Sequence, residues 1–216
     1  MKIAISGASG KTGFRIVEEC IKNGFKTKQL IRNTSNVVNN TETIRLSLAN
    51  SLDLDNALKD VDALIIATGA RPSIDLTGPA KVDALGVYRQ LESCKRVGVK
   101  RVILVSSLCT GKLIHPLNLF GLILIWKKIG ENFLKKSIFD WTIIRPGGLK
   151  ESEDIKGQKI LYSQMDTQFE GSIPRRLVAQ CCIDALKNKD SINKTIEITS
   201  SKDNDNISFQ KAMQII

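Results

Sequence analysis

Gly7, Gly10 and Gly13 stand three residues apart in the run Ile3-Ala4-Ile5-Ser6-Gly7-Ala8-Ser9-Gly10-Lys11-Thr12-Gly13, and together they can cradle a pyrophosphate. The first glycine permits a tight turn, the second lets the backbone approach an anion, and the third lets a helix pack closely on the strand before it. Free N–H groups at the start of that helix face the anion. Ser9, Lys11 and Thr12 belong to the same loop and are expected to share the contact. The spacing differs from the commoner Gly-x-Gly-x-x-Gly, and glycine triplets also collect in ordinary turns. Context favours the phosphate: a short apolar strand, Lys2 to Ser6, precedes the loop, and Phe14 to Ile21 repeats apolar residues at helical spacing.

A dinucleotide site of this kind needs a second strand that ends on a ribose reader. The run Thr27-Lys28-Gln29-Leu30-Ile31-Arg32 supplies it, and its last residue lies 19 positions beyond Gly13. An NAD site carries Asp or Glu there, to accept from the ribose hydroxyls. A guanidinium instead offers a fork of donors that matches a 2′-phosphate, so Arg32 favours NADP(H) over NAD(H). Lys11, Asn33 and Thr34 are placed to add to the same pocket.

The elements that must hold these residues alternate strand and helix, which predicts a parallel sheet. Strand three is expected near Thr43–Leu46, a helix through Leu54–Leu58, strand four over Ala63–Ala67, a helix from Val82 to Val97 and strand five over Arg101–Ser106. A long helix near Leu122–Lys136 leads to strand six at Trp141–Ile144. After Pro146-Gly147-Gly148 the pattern weakens, and 151–170 reads as polar and irregular. A helix near Leu177–Leu186, a strand near Thr195–Thr199 and a last short helix ending at Ile216 complete the chain. The expected fold is α/β, a Rossmann-type doubly wound parallel sheet: one domain over 1–216, with 146–216 forming a small substrate-side extension. Ligands in such sheets bind beyond the strand carboxyl ends, so Gly7, Arg32, Thr68-Gly69, Ser106-Ser107 and Arg145-Pro146-Gly147 should line one cleft.

Composition narrows the function classes. With 216 residues, 42% hydrophobic and 25% charged, the chain can bury a substantial core. It enters its first strand at once, so no targeting peptide is expected. The most apolar stretch, Leu117 to Trp126, falls well short of the roughly 20 residues of a membrane span. The net charge of +10 would draw anionic surfaces or phosphorylated ligands, but the lysines are scattered and no nucleic-acid motif accompanies them. Nucleic-acid binding is therefore not expected, whereas peripheral contact with an anionic membrane face is compatible with the charge. Five cysteines without a Cys-x-x-Cys pair, and a single histidine, give no metal site and point to a reducing, cytoplasmic compartment. Cys109, after a strand end, is the one placed for reactivity.

The ordered set GASGKTG, the Arg32 strand end, IIATGARPS (65–73), VDALGVYRQLESCKRVGVKRVILVSS (82–107) and FDWTIIRPGGLK (139–150) resembles an atypical short-chain dehydrogenase/reductase. Within that superfamily it is similar to NAD(P)-binding proteins of cyanobacteria and chloroplasts. These include the dehydrogenase-like component of the chloroplast inner-envelope translocon and, more distantly, flavin (biliverdin-type) reductases. The segments 116–137 and 169–179 resemble an uncharacterised chloroplast branch.

The resemblance implies roles. Thr68-Gly69 form the turn on the adenosine side of the cofactor, Ser106 and Arg145 join the cofactor set, and Ser107 matches the active-site serine. Lys127 matches the lysine that holds the nicotinamide ribose, and Pro146-Gly147 match the loop beside the nicotinamide amide. Ser47 replaces an adenine-binding Asp. Ile123, four residues before Lys127, stands where active members carry the tyrosine that protonates the carbonyl as hydride arrives. Isoleucine has no proton to give. Substitute donors are Cys109, Thr110, His115, Tyr162 or solvent, and His115 is taken as the catalytic candidate beside Ser107 and Lys127. Three functions fit: an NADPH-dependent reductase of a small conjugated, flavin-, quinone- or tetrapyrrole-like substrate; an NADP-sensing protein that docks a protein partner; or a membrane-associated assembly factor on the stromal or cytosolic face of a photosynthetic membrane.

Overall fold

Strands buried on both faces read as unbroken apolar runs, and their side chains then divide by alternation between two cores. In β1 (Lys2–Ser6), Ile3 and Ile5 face one core while Ala4 faces the other. In β4 (Ala63–Ile66), Ile65 joins the first and Leu64 and Ile66 the second; β5 (Arg101–Val105) divides in the same way. The first core is covered by α1 (Lys11–Lys22), α5 (Arg175–Lys187) and α6 (Phe209–Ile215), through residues such as Ile16, Val178 and Met213. The second lies under α2 (Ser51–Leu58), α3 (Val87–Val97) and α4 (Ile123–Lys135), through Leu54, Leu91 and Leu134.

The computed structural model describes residues 1–32, 35, 41–70, 77–112 and 114–216. Asn33, Thr34 and the Arg71-Pro72-Ser73 part of the 65–73 motif lie outside the described residues.

The remaining strands of the main sheet are β2 (Lys26–Ile31), β3 (Glu42–Arg45), β6 (Asp140–Pro146), β8 (Lys159–Ser163) and β10 (Lys194–Ser201). Their order is β3-β2-β1-β4-β5-β6-β10-β8, parallel throughout except for the β10–β8 pair. The chain reverses its direction of winding between β1 and β4, and a doubly wound sheet opens its ligand crevice at that point. A separate parallel pair, β7 (Gly148–Lys150) with β9 (Ser172–Pro174), sits in the extension that follows β6.

Two expectations need correction. The 151–170 segment is not wholly irregular, because β8 lies within it as an antiparallel strand at the end of the sheet. The helix expected from Val82 begins instead as a π-helical turn, Ala80–Gly86, before α3. Its backbone is pressed against α4, where a Cβ on Gly130 would lie 2.2 Å from the Asp83 carbonyl oxygen.

Candidate functional site

The glycine loop has the geometry that its spacing implied. Gly7 adopts φ +77°, and a Cβ there would lie 2.8 Å from the Ala67 carbonyl oxygen at the end of β4. A Cβ on Gly13 would come within 2.2 Å of the Gly7 oxygen, so only glycine lets α1 approach the turn this closely. The Gly10 N–H donates to the Gly7 carbonyl at 2.9 Å, and the first bond inside the helix runs from the Phe14 N–H to the Gly10 carbonyl at 2.8 Å. The N–H groups of Lys11, Thr12 and Gly13 thus precede the helical ladder. Gly10 provides no side-chain cap, and the first turn carries no acid. The positive end of the helix dipole is left for an anion.

Two hydroxyls support a ligand here. Thr68 Oγ1 and Ser6 Oγ, at the carboxyl ends of β4 and β1, are buried without a hydrogen-bond partner among the described residues. Buried polar atoms are normally satisfied, so such orphans suit a dinucleotide in the crevice. Arg32 is exposed just past β2, and its carbonyl accepts from the Arg45 guanidinium at 3.3 Å. Arg45, the last residue of β3, therefore places a second cation at this corner.

Glu151 and Arg175 were also missed. Lys11 Nζ and Arg175 Nε both donate to Glu151 Oε1 at 3.0 Å, and Arg175 Nη1 donates to Thr12 Oγ1 at 3.2 Å. The Lys11 ammonium, then the Arg175 guanidinium, hold the Glu151 carboxyl below the ordinary carboxylate range. An acidic strap from the extension thereby fastens to the rim of the phosphate loop.

At the other end of the cleft, Lys127 on α4 donates to Asp83 Oδ1 at 2.8 Å, and the Ala70 N–H donates to Asp83 Oδ2 at 3.1 Å. A Cβ on Gly69 would lie 3.7 Å from the Lys127 ammonium. Lys127 and the Thr68-Gly69 turn are thus brought together by Asp83, a buried residue that the sequence reading did not single out. Ser106 Oγ donates to Glu131 Oε1 at 2.6 Å, and Thr110 Oγ1 donates to the Ser107 carbonyl at 2.6 Å, which fixes the turn bearing Ser107. Ser106 therefore spends its hydroxyl on Glu131. Pro146 and Gly147 do reach this edge: the Pro146 carbonyl accepts from the Leu108 N–H at 2.9 Å, and a Cβ on Gly147 would lie 2.6 Å from the Gly171 carbonyl oxygen.

Arg145 does not offer its guanidinium to the cleft. It is 0% exposed and binds both oxygens of Glu131, at 2.9 and 2.7 Å, together with Asp166 at 2.7 Å and Glu197 at 3.2 Å. Burial alone would lower its pKa, but hydrogen bonds and charge from Glu131 and then Asp166 outweigh this and hold it above the ordinary value. The physical reason is alternation along β6: Arg145 shares a face with Ile143, beneath α4, and points at Glu131.

The substitute proton donors fare unevenly. His115 Nδ1 accepts from the Leu117 N–H at 3.2 Å and caps a short helix, and among the described residues no hydrogen bond links it to Ser107 or Lys127. Tyr162 stands edge-on to Phe209 in the first core, its phenol pushed well up by burial. Cys109 is buried and donates to the Phe169 carbonyl at 3.5 Å, and Thr110 is occupied as described. Ile123, the first residue of α4, is buried. All five cysteines are free and buried. No helix among the described residues is long and apolar enough to cross a membrane.

A family model described as NAD(P)H-binding matches residues 7–189. An uncharacterised chloroplastic protein of Arabidopsis thaliana is 35% identical, the alignment covering 92% of this chain and 76% of the relative. Sanguinarine reductase of Eschscholzia californica is 28% identical over 93% of this chain and 89% of its own. Among solved structures, a Bacillus halodurans protein provisionally described as an NAD-dependent epimerase/dehydratase superposes with a TM-score of 0.85, at 25% identity over 100% of both chains.

Proposed function

The chain belongs to the NAD(P)H-binding family of Rossmann-type, atypical short-chain dehydrogenases/reductases, and from that premise we propose that it is an NADPH-dependent reductase of a small conjugated acceptor. The observation that carries this reading is the Lys127–Asp83 pair, held at 2.8 Å against the Gly69 turn on the same cleft edge as the Ser107 turn. A bound dinucleotide would supply the hydride. Gly7, Gly10 and Gly13, with the N–H groups of Lys11 and Thr12, hold its phosphates; Thr68 lines its path, and Arg32 reads the 2′-phosphate, which sets the preference for NADP(H).

Lys127 would hold the ribose end of the dinucleotide, and Asp83 stops its ammonium from swinging away. Ser107 polarises the acceptor. Ile123 gives no proton, so the acceptor is one that stabilises the arriving electron pair by conjugation and takes its proton from water. A reductase name on a relative of similar length supports the same chemistry. Ile123 also favours a second reading, in which the chain binds NADP(H) without using it and signals to a protein partner or at a membrane face. The buried thiols suit a reducing compartment, cytoplasm or plastid stroma.

Stopped-flow loss of nicotinamide absorbance on mixing the NADPH-loaded protein with flavins, quinones and tetrapyrroles separates the two. The reductase reading expects oxidation by at least one class, slowed about 100-fold or more in Lys127→Met. If no acceptor oxidises bound NADPH, the sensing reading replaces it.

A further inference from the structure

We propose that Phe169, Lys112 and Lys128 form a subsite for a planar conjugated acceptor that carries a negative charge, a carboxylate, sulfonate or phosphate. The proposal rests on the reductase reading and names the chemistry of the acceptor. The turn that leaves β5 with Ser107 runs under this group. The Lys112 N–H donates to the Cys109 carbonyl at 3.0 Å, and the Cys109 thiol donates to the Phe169 carbonyl at 3.5 Å. The Lys112 ammonium stands 3.7 Å from the centroid of the Phe169 ring. Lys128, next to Lys127 on α4, lays its stem on the same turn, where a Cβ on Gly111 would meet its Cδ at 3.3 Å. The Phe169 ring, the Lys112 ammonium and the stem of Lys128 therefore surround the residues that follow Ser107.

A single exposed apolar side chain is ordinary on a protein surface. Phe169 differs because it is 61% exposed on a segment that is pinned rather than loose. Buried Glu197 accepts from the N–H groups of Asp166, Thr167 and Gln168 at 3.0, 3.1 and 2.8 Å. Asp166 also binds Arg145, and the Gln168 amide donates to Ser163 Oγ at 2.7 Å. At the facing edge Cys109 adopts φ +60°, a left-handed conformation that costs a non-glycine residue energy and that collects at functional sites. Asp166 shares Arg145 with Glu131 and Glu197, and the charge placed directly on the Phe169 ring is the Lys112 ammonium. With the Lys112 ammonium on one face, the Phe169 ring offers its other face to an extended π system, and the ammonium selects the anion among such systems.

Matched pairs test the proposal with binding as the readout. The protein, with saturating NADP⁺, is titrated with FMN against riboflavin and with anthraquinone-2-sulfonate against anthraquinone-2-sulfonamide, at low and high salt. The charged member of each pair should bind about tenfold more tightly at low salt, and the gap should narrow as salt screens it. Lys112→Gln should shrink that ratio while leaving the neutral member unchanged. Phe169→Ala should weaken both members about tenfold, and Phe169→Trp should restore them. Equal affinity within both pairs, no effect of Phe169→Ala, or no binding of either anion up to millimolar concentration would overturn the subsite. Success here without oxidation of NADPH would remove the reductase reading and keep the subsite; rapid oxidation by neutral acceptors with failure here would do the reverse.

Discussion

Replacing Arg32 by aspartate should reverse the choice between the two dinucleotides. A hydrogen bond to a charged group contributes about 1.5–3 kcal/mol, or roughly 10- to 150-fold in affinity. Arg32 is exposed, with the Arg45 guanidinium on its carbonyl at 3.3 Å, so solvent and salt screen it and the effect should fall near tenfold at physiological ionic strength. Ligand at 100 times its dissociation constant stabilises a fold by about 2.7 kcal/mol. For a chain of this size, about 2–4 °C per kcal/mol makes that a rise of roughly 5–11 °C in melting temperature. At equal concentrations, NADP⁺ should then exceed NAD⁺ by about 3–6 °C in the natural chain, since tenfold corresponds to about 1.4 kcal/mol. In Arg32→Asp the NADP⁺ shift should collapse while the NAD⁺ shift persists. An unchanged ratio would refute the assignment of the 2′-phosphate to the end of β2.

Gly13→Ala puts a Cβ 2.2 Å from the Gly7 carbonyl oxygen, so α1 must move off the turn. Isothermal titration should find dinucleotide binding lost, and melting of the ligand-free chain should show a drop of several degrees. Asp184 on α5 behaves in the opposite sense. Burial, reinforced by Glu19 and opposed by Lys187, raises its carboxyl above the ordinary value of 3.8. A carboxyl whose folded pKa exceeds the unfolded one binds protons more readily in the folded state, so its penalty is complete above the folded pKa and vanishes below the unfolded one. Asp184→Asn should therefore raise the melting temperature at pH 7, and the gain should fade as the pH drops toward 3.8, which melts across a pH series would show.

Features set by neighbouring residues were legible in the sequence. The glycine turn, the apolar runs of β1, β4 and β5, and Arg32 at the end of β2 each depend on a few consecutive positions, and all stand where the spacing puts them. What was not legible depends on residues far apart in the chain. The π-helical turn has no local mark, because it follows from Gly130 letting α4 press on the Asp83 backbone. β8 mixes polar and apolar residues over five positions and takes its ladder hydrogen bonds from β10, a strand more than thirty residues further along the chain. The direction of Arg145, by contrast, does have a local mark. Its parity with Ile143 turns it toward α4, where Glu131 occupies the same helix face as Lys127, one turn further on.

That helix face also shows how little the polar frame around the cleft depends on position 123. Ile123, Lys127 and Glu131 follow one another at intervals of four on α4. Glu131 is fixed by Arg145 and Ser106, and Lys127 is fixed by Asp83, so both polar positions are held by partners that owe nothing to position 123. Ile123 itself is buried and contributes packing. Removing one member of a buried ion pair costs about 3–5 kcal/mol, which ties Glu131 and Arg145 to each other. An apolar residue at the buried start of the helix takes part in no such pair. The fold therefore fixes Lys127 through Asp83 and the Ser107 turn through Thr110, and neither depends on the residue at position 123.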